Sequence, residues 1–313
     1  MKTLYIVVPC YNEEEVLPET AKRLTEKLVQ LRNENRIGAD SRILFVDDGS
    51  RDKTWSIISE LHAAHTDIAG LKLSRNRGHQ NALLAGLMTA KEYCDLSISL
   101  DADLQDDINA IDRMLEEHEK GCEIVYGVRS KRETDSWFKR STAQFFYKLM
   151  KALGVDIVYN HADYRLMSRR ALDELSHFEE SNLFLRGIVP LIGFKWSTVE
   201  YERSERFAGE SKYPLKMLSF AFDGITSFSV KPIRIITSLG VIIFLCSILA
   251  LLYFFFVKLF GYTVPGWTGI ISSIWMIGGI QLLSLGVIGE YIGKIYKEVK
   301  KRPKYIVEYF LNH

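Results

Sequence analysis

Asp101 and Asp103 flank a single alanine, so two carboxylates can project from one strand end into one cleft, with the Gln105 carbonyl oxygen beside them. Hard oxygen donors of this kind suit Mg2+ or Mn2+, and such an ion can in turn hold a diphosphate. An acidic pair at a strand end can equally cap the next helix or face water, so its meaning depends on its company. Three further polar clusters supply that company: Pro9-Cys10-Tyr11-Asn12-Glu13, Asp47-Asp48-Gly49-Ser50 and Ser74-Arg75-Asn76-Arg77-Gly78. Neither GxGxxG nor GxxxxGK[ST] occurs, so phosphate must be held by metal and basic side chains rather than by a glycine-rich loop.

Each cluster follows a short β-branched run and precedes a longer amphipathic one. Strands are expected over 4–8, 43–46, 71–73 and 97–100, alternating with helices over 13–31, 54–62, 80–91 and 108–120; 124–126 would be a fifth strand. Apolar runs of this length between helical segments predict an α/β fold with a mostly parallel sheet covered on both faces. Ligands of such sheets sit beyond the carboxyl ends of the strands, where the four clusters fall. Asp48 has a second reading, as the cap of the helix expected near Asp52.

Composition supports this picture. Of 313 residues 47% are hydrophobic and 25% charged, which excludes a disordered or collagen-like chain. The net charge of +1 argues against a nucleic-acid binder that relies on long phosphate contacts. Cys10, Cys94, Cys122 and Cys246 form no CxxC pair and read as reduced, structural residues. The apolar run after Met1-Lys2-Thr3 is too short for a signal peptide, so the first domain is expected in the cytoplasm.

The average charge hides a split. From Lys231 onward there are nine Lys/Arg against three Asp/Glu, a net of +6, which leaves −5 for residues 1–230. Between Arg234 and Lys258 no charge occurs, and a second uncharged stretch runs from Leu259 through Pro265-Gly266 to Gly289. Each is long enough to cross a hydrocarbon core of roughly 30 Å, so a two-helix transmembrane hairpin is expected. Basic residues outside both spans place both termini in the cytoplasm. Glu290 is expected to pair with Lys294 one turn later. The organisation read from the sequence is a catalytic domain over 1–212, a juxtamembrane amphipathic segment over 213–232, two spans within 233–292 and a basic tail over 293–313.

The quoted clusters, with Ala162-Asp163-Tyr164-Arg165-Leu166-Met167, Gly209-Glu210-Ser211-Lys212-Tyr213-Pro214 and the two spans, resemble the motifs of family 2 glycosyltransferases of GT-A fold. Within that family the chain resembles polyprenyl-phosphate glycosyltransferases, the group of bactoprenol glucosyltransferases and dolichol-phosphate mannosyltransferases. The resemblance implies a nucleotide site of Pro9, Tyr11, Asn12, Glu13, Asp47, Asp48, Arg75 and Asp101. It puts Asp101, Asp103 and Gln105 on the metal, and Arg203, Arg206 and Lys212 on the diphosphate. Arg129 and Arg140 would take the lipid phosphate, and Asp103, Asp163 and Lys212 would be the catalytic residues. Tyr164 stands where related chains often carry Phe, and its hydroxyl should be tolerated.

The same resemblance implies transfer of a hexose from a nucleotide-sugar, UDP-glucose first, to polyprenyl (undecaprenyl) phosphate at the cytoplasmic membrane. UDP-N-acetylglucosamine, UDP-galactose and GDP-mannose are the other donors open. A phosphate acceptor is already anionic at pH 7, so Asp163 is expected to orient the sugar more than to act as a base, and direct attack predicts inversion. Trp137-Phe138-Lys139-Arg140 through Phe145-Phe146-Tyr147-Lys148-Leu149-Met150 and the segment Tyr213 to Phe228 mix basic and apolar residues; the second is expected along the membrane surface, and the first either there or packed into the core or a subunit interface. Gly209 would hinge a basic lid. A homo-oligomer through the hairpin is a further expectation. A processive polysaccharide synthase would carry QxxRW and more spans, and a non-catalytic scaffold would have lost its acidic cluster.

Overall fold

The computed structural model describes residues 1–129, 161–180, 183–202 and 267–312, with scattered positions between 233 and 256. They belong to two compact units, the first within Met1–Lys151, Asp156–Pro214 and Arg302–His313, the second within Ala152–Val155 and Leu215–Lys301.

The first unit alternates as the apolar pattern predicts: β1 (Leu4–Cys10), α1 (Leu17–Asn33), β2 (Arg42–Asp47), α2 (Thr54–Ala64), β3 (Ile68–Leu73), α3 (His79–Ala90), β4 (Leu96–Ser99), α4 (Ala110–Glu119) and β5 (Ile124–Arg129). It continues with β6 (His161–Ser168), α5 (Arg169–Ser176), α6 (Leu185–Leu191), β7 (Trp196–Tyr201) and, near the C-terminus, β8 (Val307–Leu311). Local chemistry sets the boundaries. Helix α1 begins four residues later than its periodicity suggests, because Pro18 fits only its first turn. Helix α5 is capped by Ser168 Oγ, which accepts from the Ala171 N–H at 3.1 Å.

The eight strands form one sheet in the order β7-β5-β6-β4-β1-β2-β3-β8. Pairs β1–β2, β1–β4, β2–β3 and β5–β7 are parallel; β4–β6, β5–β6 and β3–β8 are antiparallel. Every residue of β1 is buried, as a central strand covered on both faces requires. Strand β1 leads to β2 on one side while β4 lies on its other side, so the chain reverses its direction of sheet growth between β1 and β4. Such a switch point opens a crevice at the strand ends, and Pro9–Glu13 and Asp101–Asp106 flank it.

Within the segment read as a basic tail lies a further strand. Val307–Leu311 pairs with β3 as the antiparallel edge strand β8, and Lys72 lies between the Trp55 and Tyr309 rings while reaching Glu308 at 3.2 Å. The segment thereby covers the edge that β3 would otherwise present.

In the second unit, helix α7 (Trp267–Lys300) has 34 residues and extends past the expected end of the span. Ile270, Ile274, Leu282, Leu285, Ile292 and Ile295 are each more than half exposed on it. Lys294 Nζ lies 3.9 Å from Glu290 Oε1, the expected pair. Among the described residues, no helix is long and apolar enough to cross a membrane. Most of the first expected span, the segments 130–160 and 203–232, and with them Trp137, Phe138 and Gly209, lie outside the described residues. All four cysteines are free, and Cys10, Cys94 and Cys122 are buried.

Candidate active site

The loops after β1 and β2 are tied to one another before any ligand is considered. Asn12 takes a left-handed conformation (φ 54°), tolerable for Asn, and its N–H donates to Ser50 Oγ at 3.0 Å while its Oδ1 accepts from the Arg51 N–H at 2.9 Å. The Glu13 N–H donates to Thr54 Oγ1 at 2.9 Å, and the Glu14 N–H to Asp52 Oδ2 at 3.2 Å. Pro9 is buried within β1, Tyr11 is 41% exposed above it, and Glu13 is half-buried. A cleft of about 440 Å³ opens here, lined by Asn12 to Val16, Arg51 and Asp52.

The two aspartates ending β2 do different work. Asp47 is fully buried; its Oδ1 accepts from the Ser50 N–H at 3.1 Å, and its Oδ2 has no partner in the protein. Burial pushes its pKa up against the Ser50 hydrogen bonds, so this oxygen suits an N–H donor arriving from a ligand. Asp48, expected on the nucleotide or as a helix cap, spends both oxygens on the loop after β3. Oδ1 accepts from the Arg77 N–H at 2.7 Å and Oδ2 from the Gly78 N–H at 2.8 Å. Gly49 sits at φ +66°, and a Cβ there would lie 2.6 Å from the Arg75 and Asn76 backbone. Asp48 and Gly49 thereby press the loop carrying the exposed Arg75 against β2, and the residue capping toward α2 is Asp52, whose Oδ1 accepts from the Thr54 N–H at 3.0 Å.

The acidic motif after β4 is held from three sides. The Leu100 N–H donates to Val7 O at 3.0 Å, Thr20 Oγ1 donates to Ala102 O at 2.9 Å, and the Tyr164 hydroxyl donates to Asp107 O at 3.0 Å. The hydroxyl that the sequence marked as merely tolerable therefore anchors the loop. Leu104 (φ 57°) turns the chain so that Asp103 Oδ1 accepts from the Gln105 N–H at 3.2 Å. The Asp101 carboxyl is 31% exposed. Its pKa is raised, first by burial and further by Asp163 and Asp103, with His79 and Arg129 opposing.

Among the described residues, no group of three His, Cys, Asp or Glu could hold a metal alone. Asp101 and Asp103 still fit a Mg2+ or Mn2+ ion, because such ions commonly take one or two carboxylates and complete their shell with water and phosphate oxygens.

Asp163, on β6, is 5% exposed and is the most heavily engaged carboxylate of the cleft. Its Oδ1 accepts from Arg165 Nη2 at 2.7 Å and Arg186 Nε at 3.2 Å; its Oδ2 accepts from Arg186 Nη2 at 3.1 Å and Gln80 Nε2 at 3.2 Å. His79 Nε2 stands 3.5 Å from Asp163 Oδ2 and 3.6 Å from Asp101 Oδ1. Burial alone would raise the Asp163 pKa, but Arg186, His79 and Arg165 together hold it well below the usual carboxylate range. For His79 the desolvating surroundings oppose charge, and the two aspartates more than compensate, so its pKa is raised. A carboxylate so compensated is a poor proton acceptor.

On the far side of the motif, Arg129 Nε donates to the Tyr201 hydroxyl at 3.3 Å, and Arg129 Nη2 lies 3.7 Å from Asp106 Oδ1. The Tyr201 hydroxyl donates to Asp106 Oδ1 at 2.6 Å. Burial is the main cause that pushes the Asp106 pKa up, to about 6. Arg129 is thus fixed by a buried pair at the end of β5.

The structure brings Pro9, Tyr11, Asn12, Glu13, Asp47, Asp101, Asp103, Gln105, Arg129 and Asp163 to the strand-end side of the sheet. Arg140, Arg203, Arg206 and Lys212 lie outside the described residues. Sequence reasoning missed His79, Gln80, Arg186 and Tyr201, and gave no role to Arg165 and Asp106 although both stand within its motifs. The only signal for His79 was its place directly after the polar cluster ending at Gly78.

Residues 5–176 match the family described as Glycosyl transferase family 2, and residues 231–295 match the GtrB C-terminal hairpin. The chain is 59% identical to the glycosyltransferase YkoT of Bacillus subtilis (strain 168), over 97% of this chain and 91% of that protein. It is 40% identical to the bactoprenol glucosyl transferase of Shigella phage SfII, over 97% of this chain and 96% of that protein. Among solved structures, mannosyl-3-phosphoglycerate synthase from Rubrobacter xylanophilus superposes with a TM-score of 0.48 at 16% identity, covering 71% of each chain. The α/β fold with its mostly parallel sheet is GT-A-like.

Proposed function

The chain belongs to glycosyl transferase family 2 and is a glycosyltransferase, and on that premise we propose that it moves a hexose from a nucleotide-sugar, UDP-glucose first, to polyprenyl phosphate, with undecaprenyl phosphate as the natural lipid. The observation that carries this reading is the 40% identity, over nearly the whole of both chains, to proteins named bactoprenol glucosyl transferase. The acidic motif at the switch point supplies the chemistry that such a transfer needs.

In this reading Tyr11, Asn12, Glu13 and the partnerless oxygen of Asp47 receive the nucleoside, with Arg75 at the rim. Asp48 holds the Arg75 loop in place. Asp101 and Asp103, with Gln105, hold Mg2+ or Mn2+, which when bound neutralises the leaving diphosphate. Lys212, Arg203 and Arg206 add positive charge to the same group. The acceptor is anionic at neutral pH, so no residue has to remove its proton; its oxygen attacks the anomeric carbon directly and inverts it. Asp163, locked by two arginines, orients what lies against it, and Arg129 and Arg140 serve the lipid phosphate.

The acceptor's lipid requires contact with a bilayer. The exposed apolar residues of α7 and the match of residues 231–295 to a hairpin family support two spans within 233–292, with both termini in the cytoplasm. The sugar-lipid product would feed glycan modification of the cell envelope, and a homo-oligomer through the hairpin is part of the same proposal.

The test is a transfer assay on detergent-purified protein with undecaprenyl phosphate, Mn2+ or Mg2+ and labelled UDP-glucose, UDP-N-acetylglucosamine, UDP-galactose and GDP-mannose. Metal-dependent label in the lipid phase from UDP-glucose is the expected result. Label from another donor alone would replace the sugar assignment, and none from folded protein would overturn the reaction.

A further inference from the structure

Asp163 is surrounded by more positive charge than its own neutralisation requires. Arg165, 1% exposed, is already paired with it at 2.7 Å, as a buried carboxylate demands. Arg186 brings a second guanidinium onto both oxygens, at 3.2 and 3.1 Å, and its side chain is 37% exposed. Through Nε and Nη2 the carboxylate fixes the plane of Arg186. The position of that plane matters. From Arg186 the contacts run through Asp163 to His79 and on to Asp101, with no step longer than 3.6 Å. An exposed, pre-oriented guanidinium therefore stands in the same cleft as the first carboxylate of the acidic motif.

We infer that Arg186 is a phosphate-binding residue of this cleft and that it receives the phosphate monoester of the acceptor. The inference rests on the function proposed above and adds to it a residue that the sequence did not suggest. A monoester near neutral pH carries between one and two negative charges, and it must approach a diphosphate that is itself anionic, so it needs its own cation. Guanidinium grips such a group with parallel N–H donors. Arg129 is less available for this work, being 18% exposed and held between Tyr201 and Asp106. In the transfer, a phosphate oxygen forms the new bond to the anomeric carbon, the bond from that carbon to the diphosphate oxygen breaks, and the electron pair departs with the nucleoside diphosphate. No further reactant is needed. Of the reacting groups, Arg186 touches only the attacking phosphate.

The experiment compares wild type, Arg186→Gln and Arg186→Lys in the same transfer assay, varying polyprenyl phosphate at saturating donor. UDP affinity is titrated separately in the presence of Mn2+, and thermal stability is recorded for each protein. Arg186→Gln should raise the acceptor KM at least ten-fold and change UDP affinity less than two-fold. Arg186→Lys, which keeps a point charge without the fork, should fall between. An unchanged acceptor KM in Arg186→Gln overturns the inference, even if the variant melts earlier. Loss of UDP affinity equal to the loss in acceptor KM also overturns it, since the anion would then belong to the donor. A folded wild type that transfers to no phosphate acceptor would bring down the function proposal itself, an outcome separate from either of these.

Discussion

Replacing Asp163 with Asn should destabilise the protein strongly, although the two side chains are nearly the same size. The carboxylate is 5% exposed and is the counter-charge of Arg165, which is 1% exposed, as well as a two-point partner of Arg186. Removing one member of a buried ion pair costs about 3–5 kcal/mol, because the remaining charge stays buried without compensation. At roughly 2–4 °C per kcal/mol for a domain of this size, the melting temperature should fall by about 6–20 °C. Differential scanning calorimetry of the purified protein at pH 7 reads this directly. The folded-state pKa of Asp163 is depressed, so its stabilisation is complete above its unfolded value of about 3.9 and is lost as the pH falls through the folded value. The gap between wild type and variant should accordingly widen from pH 7 to about pH 5, as His79, whose raised pKa depends in part on Asp163, gains its proton, and close only in stronger acid. If Asp163 were instead a base facing substrate, Asp163→Asn would stop turnover while melting within about 2 °C of wild type, and that result would refute the ion-pair argument.

Asp103→Asn should abolish transfer and leave the melting temperature within about 2 °C, since it removes a metal-binding charge from the cleft without opening the core; wild-type turnover would sink the metal assignment. In Gly49→Ala, the Cβ would strike the Arg75 backbone at 2.6 Å from a left-handed φ, so the loop must shift and UDP affinity, read by titration, should fall at least ten-fold; unaltered affinity would separate that loop from the nucleotide. Tyr164→Phe removes the hydrogen bond to Asp107 O and should cost about 1 kcal/mol, seen as a modest drop in melting temperature. An unchanged melt would mean that water replaces the hydroxyl without loss.

The first five strands were legible because each is a short run rich in apolar residues, broken only by Lys72 in β3 and Ser97 and Ser99 in β4, and β1, β2 and β4 lie centrally enough to be covered on both faces. Strands β6, β7 and β8 were not, because they mix polar with apolar positions, and β7 and β8 are in addition the edge strands; in Trp196–Tyr201 only Val199 and Tyr201 are buried. The acidic motif could be placed because the end of a strand fixes where its next few residues point. Its partners could not. Arg165 lies two positions after Asp163 on β6, on the same face, but His79 comes from α3 and Arg186 from α6, and nothing in their local sequence says that they converge on Asp163. Asp48 shows the opposite limit, since its motif suggested a ligand while its two short hydrogen bonds go to the chain.

The most direct measurement is the anomeric configuration of the sugar-lipid made from 13C-labelled UDP-α-glucose, read by NMR on the isolated product. Direct attack by an already ionised phosphate predicts a β-linked product and no covalent sugar on the protein. An α-linked product would contradict that account, because retention by two displacements requires the sugar to pass through a bond to the protein.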